Sequence, residues 1–148
     1  MTSTAHPLRN EEWLTAEHDW LDARLAAAFI SAGAGDRDAA REELAIYQLE
    51  CEDHLEAARR RLLSPLDRSD ERTRAAERRE WAVHARDIRI AVSALQQHLL
   101  SAPETTVLAT FDVLRRAVRR HRADEARLLD AEAPVGLSDD VRVLSAAL

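Results

Sequence analysis

The sequence predicts an all-α protein, an antiparallel up-down-up-down four-helix bundle, and three observations support this fold class. Apolar residues recur every three or four positions in four long segments, and this period is typical of amphipathic helices. Only 3 glycines and 4 prolines interrupt the 148 residues, too few for the many turns of an all-β fold. The connections between the segments are short, which favours antiparallel neighbours.

The first two helices are bounded by residues that cap or break a helix. Asn10 is expected to cap the first helix, which ends near Ala32 at a Gly-Ala-Gly turn. Asp36 or Asp38 is expected to cap the second helix, which continues to about Leu63 and stops before a Ser-Pro pair. Their apolar stripes are expected to face the core; they comprise Leu14, Leu21, Leu25 and Phe29 in the first helix, and Leu44, Tyr47, Cys51, Leu55, Ala58 and Leu62 in the second.

The third and fourth helices follow a polar loop. The third helix is expected to run from about Glu71 to Leu100. The tetrapeptide from Ser101 to Glu104 fits an S-x-x-E capping box, which is expected to open a fourth helix ending near Glu132. Their apolar stripes comprise Trp81, Ile88, Ala91 and Leu95 in the third helix, and Val107, Phe111, Leu114, Val118 and Leu128 in the fourth.

Length and composition indicate one globular domain. Residues 1–132 are predicted to form the bundle, and residues 133–148 a C-terminal tail that can hold a short amphipathic helix. Hydrophobic residues make up 46% of the chain and charged residues 32%, as in an ordinary folded domain. The net charge of −6 argues against nucleic acid or an anionic membrane as a partner, because phosphate contacts need a basic surface.

Several further features bear on the location of the protein. No run of about 20 apolar residues exists, so no membrane span is expected. Residues 1–9 lack the apolar stretch of a signal peptide, and a cytoplasmic location is therefore expected. The single cysteine, Cys51, excludes an intramolecular disulfide. The sequence leaves open whether the chain forms a homo-oligomer.

Four of the 6 histidines fall on the inward stripes, one on each helix. With a rise of 1.5 Å per residue, their levels along the bundle differ by less than about 8 Å, so they can meet in one layer. These four are His18, His54, His84 and His121. His98 lies about 21 Å along the helix from His84, too far to share a ligand with it, and His6 precedes the first helix.

A carboxylate accompanies the histidines on the fourth helix. Glu125 follows His121 by four residues, so both side chains lie on one face, and the apolar stripe directs that face inward. Burying imidazoles beside a carboxylate costs several kcal/mol unless something pairs with them. A metal ion can do so, and imidazole with carboxylate suits iron, manganese or zinc. The predicted metal ligands are therefore His18, His54, His84, His121 and Glu125.

This pattern resembles the hemerythrin-like, or HHE cation-binding, family over roughly residues 10–132. The segment Glu17-His18-Asp19 is similar to the family's helix-one motif, His54 and His84 match the histidines of helices two and three, and His121 with Glu125 matches the last motif. The resemblance implies a cofactor of one or two non-haem iron ions. It also implies a small ligand such as O2, NO or peroxide. The implied role of the protein is binding or sensing that ligand, handling iron, or responding to oxidative stress.

The helix-two motif departs from the family pattern. Ala58 stands four residues after His54, where the family has glutamate. Replacement carboxylates on the neighbouring helical turns are Asp22, Glu50 and Glu80. Without a replacement, three outcomes stay open: an oxo or hydroxo bridge keeps two metals, the site is reduced to one metal, or the site is lost. Two alternatives therefore accompany the iron-binding interpretation: a metal-dependent oxidase or peroxide-decomposing enzyme, and a metal-free helical interaction module.

Overall fold

The computed structural model describes residues 9–63 and 71–132, and these residues form helices and no strand. The helices are α1 (Asn10–Gly33), α2 (Arg37–Ala58), α3 (Glu71–Ser101) and α4 (Glu104–Glu132). The predicted all-α class and the four helices are confirmed, and their packing is consistent with a helical bundle. The predicted C-terminal tail lies outside the described residues.

The turn between α1 and α2 follows from two residues. Gly35 has a φ of +80°, a left-handed conformation that a residue without Cβ adopts at little cost. The Asp36 carboxylate then accepts a hydrogen bond of 3.0 Å from the backbone N–H of Ala39, which satisfies one of the free donors at the start of α2. Asp36, rather than Asp38, is therefore the cap of α2.

The predicted caps of α1 and α4 are wrong. Asn10 is the first helical residue, and the carboxylate of Glu12 reaches back to accept from the backbone N–H of Arg9 at 3.3 Å. Ser101 ends α3 instead of capping α4, because the residue before a proline disfavours helical geometry and Pro103 follows two residues later. The Pro103 carbonyl instead accepts the first hydrogen bonds of α4, the shorter being 3.0 Å.

The end of α2 changes its winding. Residues Arg59–Leu63 continue α2 as a π-helical turn, so the helical path reaches the predicted end at Leu63, but not as α-helix throughout. The wider turn keeps Leu62 fully buried. Single π-turns are rare and are found most often close to functional sites.

Each helix packs mainly on two others. α1 contacts α2 and α4, and α3 contacts α4 and α2. The Arg37 guanidinium, at the start of α2, donates a hydrogen bond of 2.7 Å to the Ala102 carbonyl after the end of α3. The predicted stripes form the core between the helices, where Phe29 and Phe111 meet edge to face with ring centroids 5.3 Å apart.

A smaller apolar cluster lies apart from this main core. Its buried members come from all four helices and the π-helical turn; they are Leu14, Ala58, Leu62, Trp81 and Leu128. Within the described part of the chain, no helix is both long and apolar enough to cross a membrane.

Two leucines of α2 provide a test of the core. Leu44 is fully buried, whereas Leu49 is 70% exposed. Leu44→Ala is expected to lower the free energy of unfolding by about 2–5 kcal/mol, because it removes buried methyl groups and leaves a cavity. Leu49→Ala, with the same change in helix propensity, should stay within about 0.5 kcal/mol of the parent. Urea denaturation followed by circular dichroism measures both, and equal losses would contradict this packing.

Candidate metal centre

The candidate site is built around the carboxylate of Glu125 on α4, whose side chain is 1% exposed. The Nε2 atom of His18, on α1, lies 2.7 Å from Glu125 Oε2. The Nε2 atom of His54, on α2, lies 2.9 Å from Glu125 Oε1. The Nε2 atom of His121, one turn before Glu125 on α4, lies 3.4 Å from Oε1. Three helices thus deliver imidazole nitrogens to one buried carboxylate.

Two tryptophan rings hold the imidazoles in place. The Trp13 ring stacks on that of His54, with centroids 5.5 Å apart and planes within 19° of parallel. The Trp81 ring meets that of His121 edge to face at 4.2 Å. Rings packed in this way lose rotational freedom, so the nitrogen positions are fixed before anything binds.

Several buried nitrogen and oxygen atoms in this cluster have no hydrogen-bond partner within the described part of the chain. His18 Nε2 and Glu125 Oε2 are close but poorly aligned for a hydrogen bond, and both nitrogens of His121 are also unsatisfied. Leaving such atoms unpaired in a protein interior costs about 1–3 kcal/mol each. His18, His54 and Glu125 also offer atoms that lie within 4.8 Å of one another. Unsatisfied nitrogen and oxygen donors converging on one point fit a metal ion such as iron or zinc.

The site keeps Glu125 ionised. Burial raises the pKa of this carboxyl, but the facing imidazoles of His121, His18 and His54 outweigh burial and hold the pKa well below its usual range. The carboxylate is therefore the fixed negative charge of the cluster over the physiological pH range.

The structure does not bring all five predicted ligands together. His18, His54, His121 and Glu125 meet, whereas the Nδ1 atom of His84 contacts the carboxylate of Asp124. Asp124 is itself buried and also accepts a hydrogen bond from the Arg127 guanidinium. The set of metal ligands, including His84, stays a prediction.

The three carboxylates considered as replacement ligands lie in ion pairs. Asp22 accepts two hydrogen bonds, of 2.7 and 2.9 Å, from Arg122. Glu80 accepts one of 2.9 Å from Arg127, and Glu50 lies 3.6 Å from Arg24. Arginine hydrogen bonds thus satisfy Asp22 and Glu80, whereas Glu50 Oε2 forms the ion pair with Arg24 but no hydrogen bond within residues 9–63 and 71–132. None of the three belongs to the cluster around Glu125.

The surroundings of Ala58, four residues after His54, are apolar. Ala58 is fully buried in the smaller apolar cluster, where Trp81 and Leu128 are among its partners. A carboxylate at this position would be desolvated without a cation beside it.

A small cavity borders the histidines. It measures about 10 Å³, close to the space of one water molecule, and Tyr47 and Cys51 line it together with His18, His54 and His121. The Tyr47 hydroxyl and the Cys51 thiol are hydrogen-bonded to each other. His98 is not part of this region, because its Nδ1 atom bonds the Thr110 hydroxyl at 2.7 Å. His6 lies outside the described residues.

Comparisons with known proteins do not assign the chain to a family: no protein-family model, no curated protein and no solved structure matches it.

Sequence reasoning missed two contributors to this region. Asp124 is buried, and the sequence signal for it is its position three residues after His121, which puts both side chains on neighbouring parts of one helical face. Trp13 lies off the stripe of α1, and no spacing in the sequence indicates that its ring stacks on His54.

Cys51 provides a test of the environment of this cavity. Burial raises the pKa of the Cys51 thiol to about 12, although the hydrogen bond with Tyr47 lowers it. At pH 8 the thiolate fraction of such a group is about 10⁻⁴, and only the thiolate reacts. The metal-free protein should therefore react with a disulfide reagent at least ~100-fold more slowly when native than when unfolded in guanidinium. Native and unfolded rates within tenfold of each other would contradict the buried thiol.

Proposed function

We propose that the chain binds one non-haem iron ion through His18, His54 and Glu125, with His121 within reach of the same ion. The observation that carries this proposal is the set of buried imidazole nitrogens that meet at the Glu125 carboxylate. Of these atoms, His18 Nε2, His121 Nε2 and Glu125 Oε2 have no hydrogen-bond partner among the residues that the structure describes. Two neutral imidazoles and one carboxylate on one side of a metal are the donor set typical of non-haem ferrous sites. The fixed rings limit the reorganisation needed for binding.

The charges favour one ion over two. A ferrous ion bound by neutral imidazoles and Glu125 keeps one net positive charge, and a second ion would add two more in a low-dielectric core. The next buried carboxylate, Asp124, is already paired with His84 and Arg127. Ala58 offers no ligand. A single iron is therefore the arrangement that these residues can neutralise.

The hemerythrin-like, up-down-up-down order of the helices is part of the same proposal. The turn at Gly35 reverses the chain between α1 and α2, and Arg37 joins the start of α2 to the carbonyl of Ala102. This contact puts the α1–α2 and α3–α4 connections at one end of the molecule. Alternating helix directions account for it most simply.

The bound iron would supply a redox-active centre for a small ligand such as O2, NO or peroxide. The residues of the chain exclude bulkier molecules, because the cavity beside the histidines has room for about one water-sized molecule. Tyr47 and Cys51 border that cavity, and the Tyr47 hydroxyl is a hydrogen-bond donor. The site therefore suits binding or sensing of a diatomic or peroxide ligand.

Metal stoichiometry tests the proposal directly. Metal-free protein dialysed anaerobically against ferrous iron should retain about one iron per chain, measured by elemental mass spectrometry. His54→Ala should retain much less, because it removes a ligand. His98→Ala is the matched control, since it removes a half-buried histidine that bonds Thr110 far from the cluster, and it should bind as the parent does. At 100 times the dissociation constant, iron should add about 2.7 kcal/mol to the free energy of unfolding, visible as a higher melting temperature.

Other outcomes of that experiment would overturn the proposal. A protein that retains no iron, and whose melting temperature ignores added iron, would be a metal-free helical module. Equal loss of iron in the His54→Ala and His98→Ala variants would indicate unspecific binding instead of this site.

A second variant tests the number of ions. His84→Ala removes the partner of Asp124 without touching the cluster around Glu125. For a single ion it should keep about one iron per chain with less than about a tenfold loss of affinity, because losses of about 10–100-fold are typical of residues that hydrogen-bond a metal ligand and His84 contacts none of the proposed ligands. Two irons in the parent and one in His84→Ala would contradict the single-ion arrangement and restore His84 as a ligand.

A further inference from the structure

A groove between α1 and α4 concentrates positive charge on an acidic protein. It measures about 280 Å³, and three arginines of α4 line it: Arg115, Arg119 and Arg122. Asp22 is the one carboxylate among its lining residues, so these side chains sum to a charge of +2 (three arginines less one aspartate). The whole chain, in contrast, has a net charge of −6.

The three arginines differ in how far they are neutralised. Arg122 is engaged by Asp22 through two hydrogen bonds, of 2.7 and 2.9 Å. Arg115 lies 3.5 Å from Asp112 and its guanidinium covers the Phe29 ring at 4.2 Å. The Arg119 guanidinium forms no ion pair or hydrogen bond with any residue that the structure describes. The groove therefore contains one guanidinium without a counter-charge among the described residues, that of Arg119, and a second that is weakly paired, that of Arg115.

The spacing of these residues carries an energetic cost. Positions 115, 119 and 122 follow each other by four and three residues, so the guanidiniums share one helical face. Like charges at these separations destabilise a helix by about 0.2–0.5 kcal/mol per pair. An anion in the groove would turn the repulsion into attraction, because guanidinium groups bind the oxygens of carboxylates and phosphates in pairs.

We propose that this groove binds a small free oxyanion of the phosphate class. Arg119 supplies the unpaired guanidinium, Arg115 adds a second, and Arg122 contributes the side of its guanidinium that Asp22 does not occupy. The volume is just below the range of about 300–1,000 Å³ usual for pockets that enclose organic ligands, so it suits an inorganic ion better than a nucleotide. This inference goes beyond the iron-binding proposal and needs no metal.

The groove and the histidine cavity share a wall. Val118 and Arg122 line both of them, so a bound oxyanion would lie one side chain away from the cluster around Glu125. The anion would thus add negative charge close to a centre that has one carboxylate.

Phosphate titration of the metal-free protein at low ionic strength tests the proposal. Calorimetry and the NMR signals of the arginine side chains should show saturable binding of inorganic phosphate. Arg119→Ala should weaken it by about three- to tenfold, as expected for one charge-assisted contact at a partly exposed site. Arg116→Ala is the matched control, because Arg116 is exposed on α4, lies outside the groove and forms no ion pair or hydrogen bond within the described residues. It should leave phosphate binding unchanged.

Asp22→Asn gives a second, opposite expectation. It removes the carboxylate that repels an anion and frees Arg122, so phosphate should bind about threefold more tightly. If Arg119 contributed only to folding, Asp22→Asn would not produce this gain in phosphate affinity. The melting temperatures of the variants separate a change in stability from a change in phosphate binding.

Three results would overturn the proposal. One is the absence of saturable phosphate binding, and another is an equal loss in the Arg119→Ala and Arg116→Ala variants, which would indicate general charge screening. The third is tight binding of adenosine monophosphate with no binding of phosphate, which would assign the groove to a phosphate ester instead of a free ion. Because iron is absent from every arm, failure here is separate from failure of the iron-binding proposal.

Discussion

The buried carboxylate of Glu125 is the constraint on which the arrangement of the helices depends. An ionised side chain that is 1% exposed is tolerated only where polar groups face it, and the facing imidazole nitrogens come from His18 on α1 and His54 on α2. Those contacts fix α1 and α2 at one level against α4. A shift of either helix by one turn, about 5.4 Å, would remove one of these two contacts from the buried carboxylate. The polar cluster thus specifies the register that the apolar stripes alone would leave open to sliding.

The surroundings of the carboxylate then decide how much positive charge the site can hold. Trp13 and Trp81 pack on the imidazoles of His54 and His121, and Ala58 lies in the apolar cluster that contains Trp81. A low local dielectric strengthens each electrostatic interaction, both the attraction of a cation to Glu125 and the repulsion between two cations. The apolar packing at this end of the molecule would therefore also favour one ion over two in the proposed metal site.

Much of the fold and of the candidate site could be predicted from the sequence, because helical periodicity determines which residues face inward. The stripes place His18, His54 and Glu125 on inward faces, and the structure brings these three together. The pairing of His84 with Asp124 could not be predicted in the same way. Asp124 and Glu125 point about 60° and 40° to either side of His121, and one sequence does not say which neighbouring helix lies on which side. The capping errors at Asn10 and Ser101 are local, since an adjacent proline or acidic side chain can move a helix start by a residue or more.

The electrostatics of α4 connect the two sites. Its inward face carries Glu125, the negative charge of the candidate metal centre, and its α1-facing side carries the arginines of the groove. Arg122 stands between them, paired with Asp22 on the outside and lining the histidine cavity on the inside. A cation bound at Glu125 would repel the Arg122 guanidinium, and this repulsion is smallest when an anion occupies the groove. Iron in the cluster and an oxyanion in the groove should therefore bind with positive coupling, and thermodynamic linkage requires that each raise the affinity of the other by the same factor.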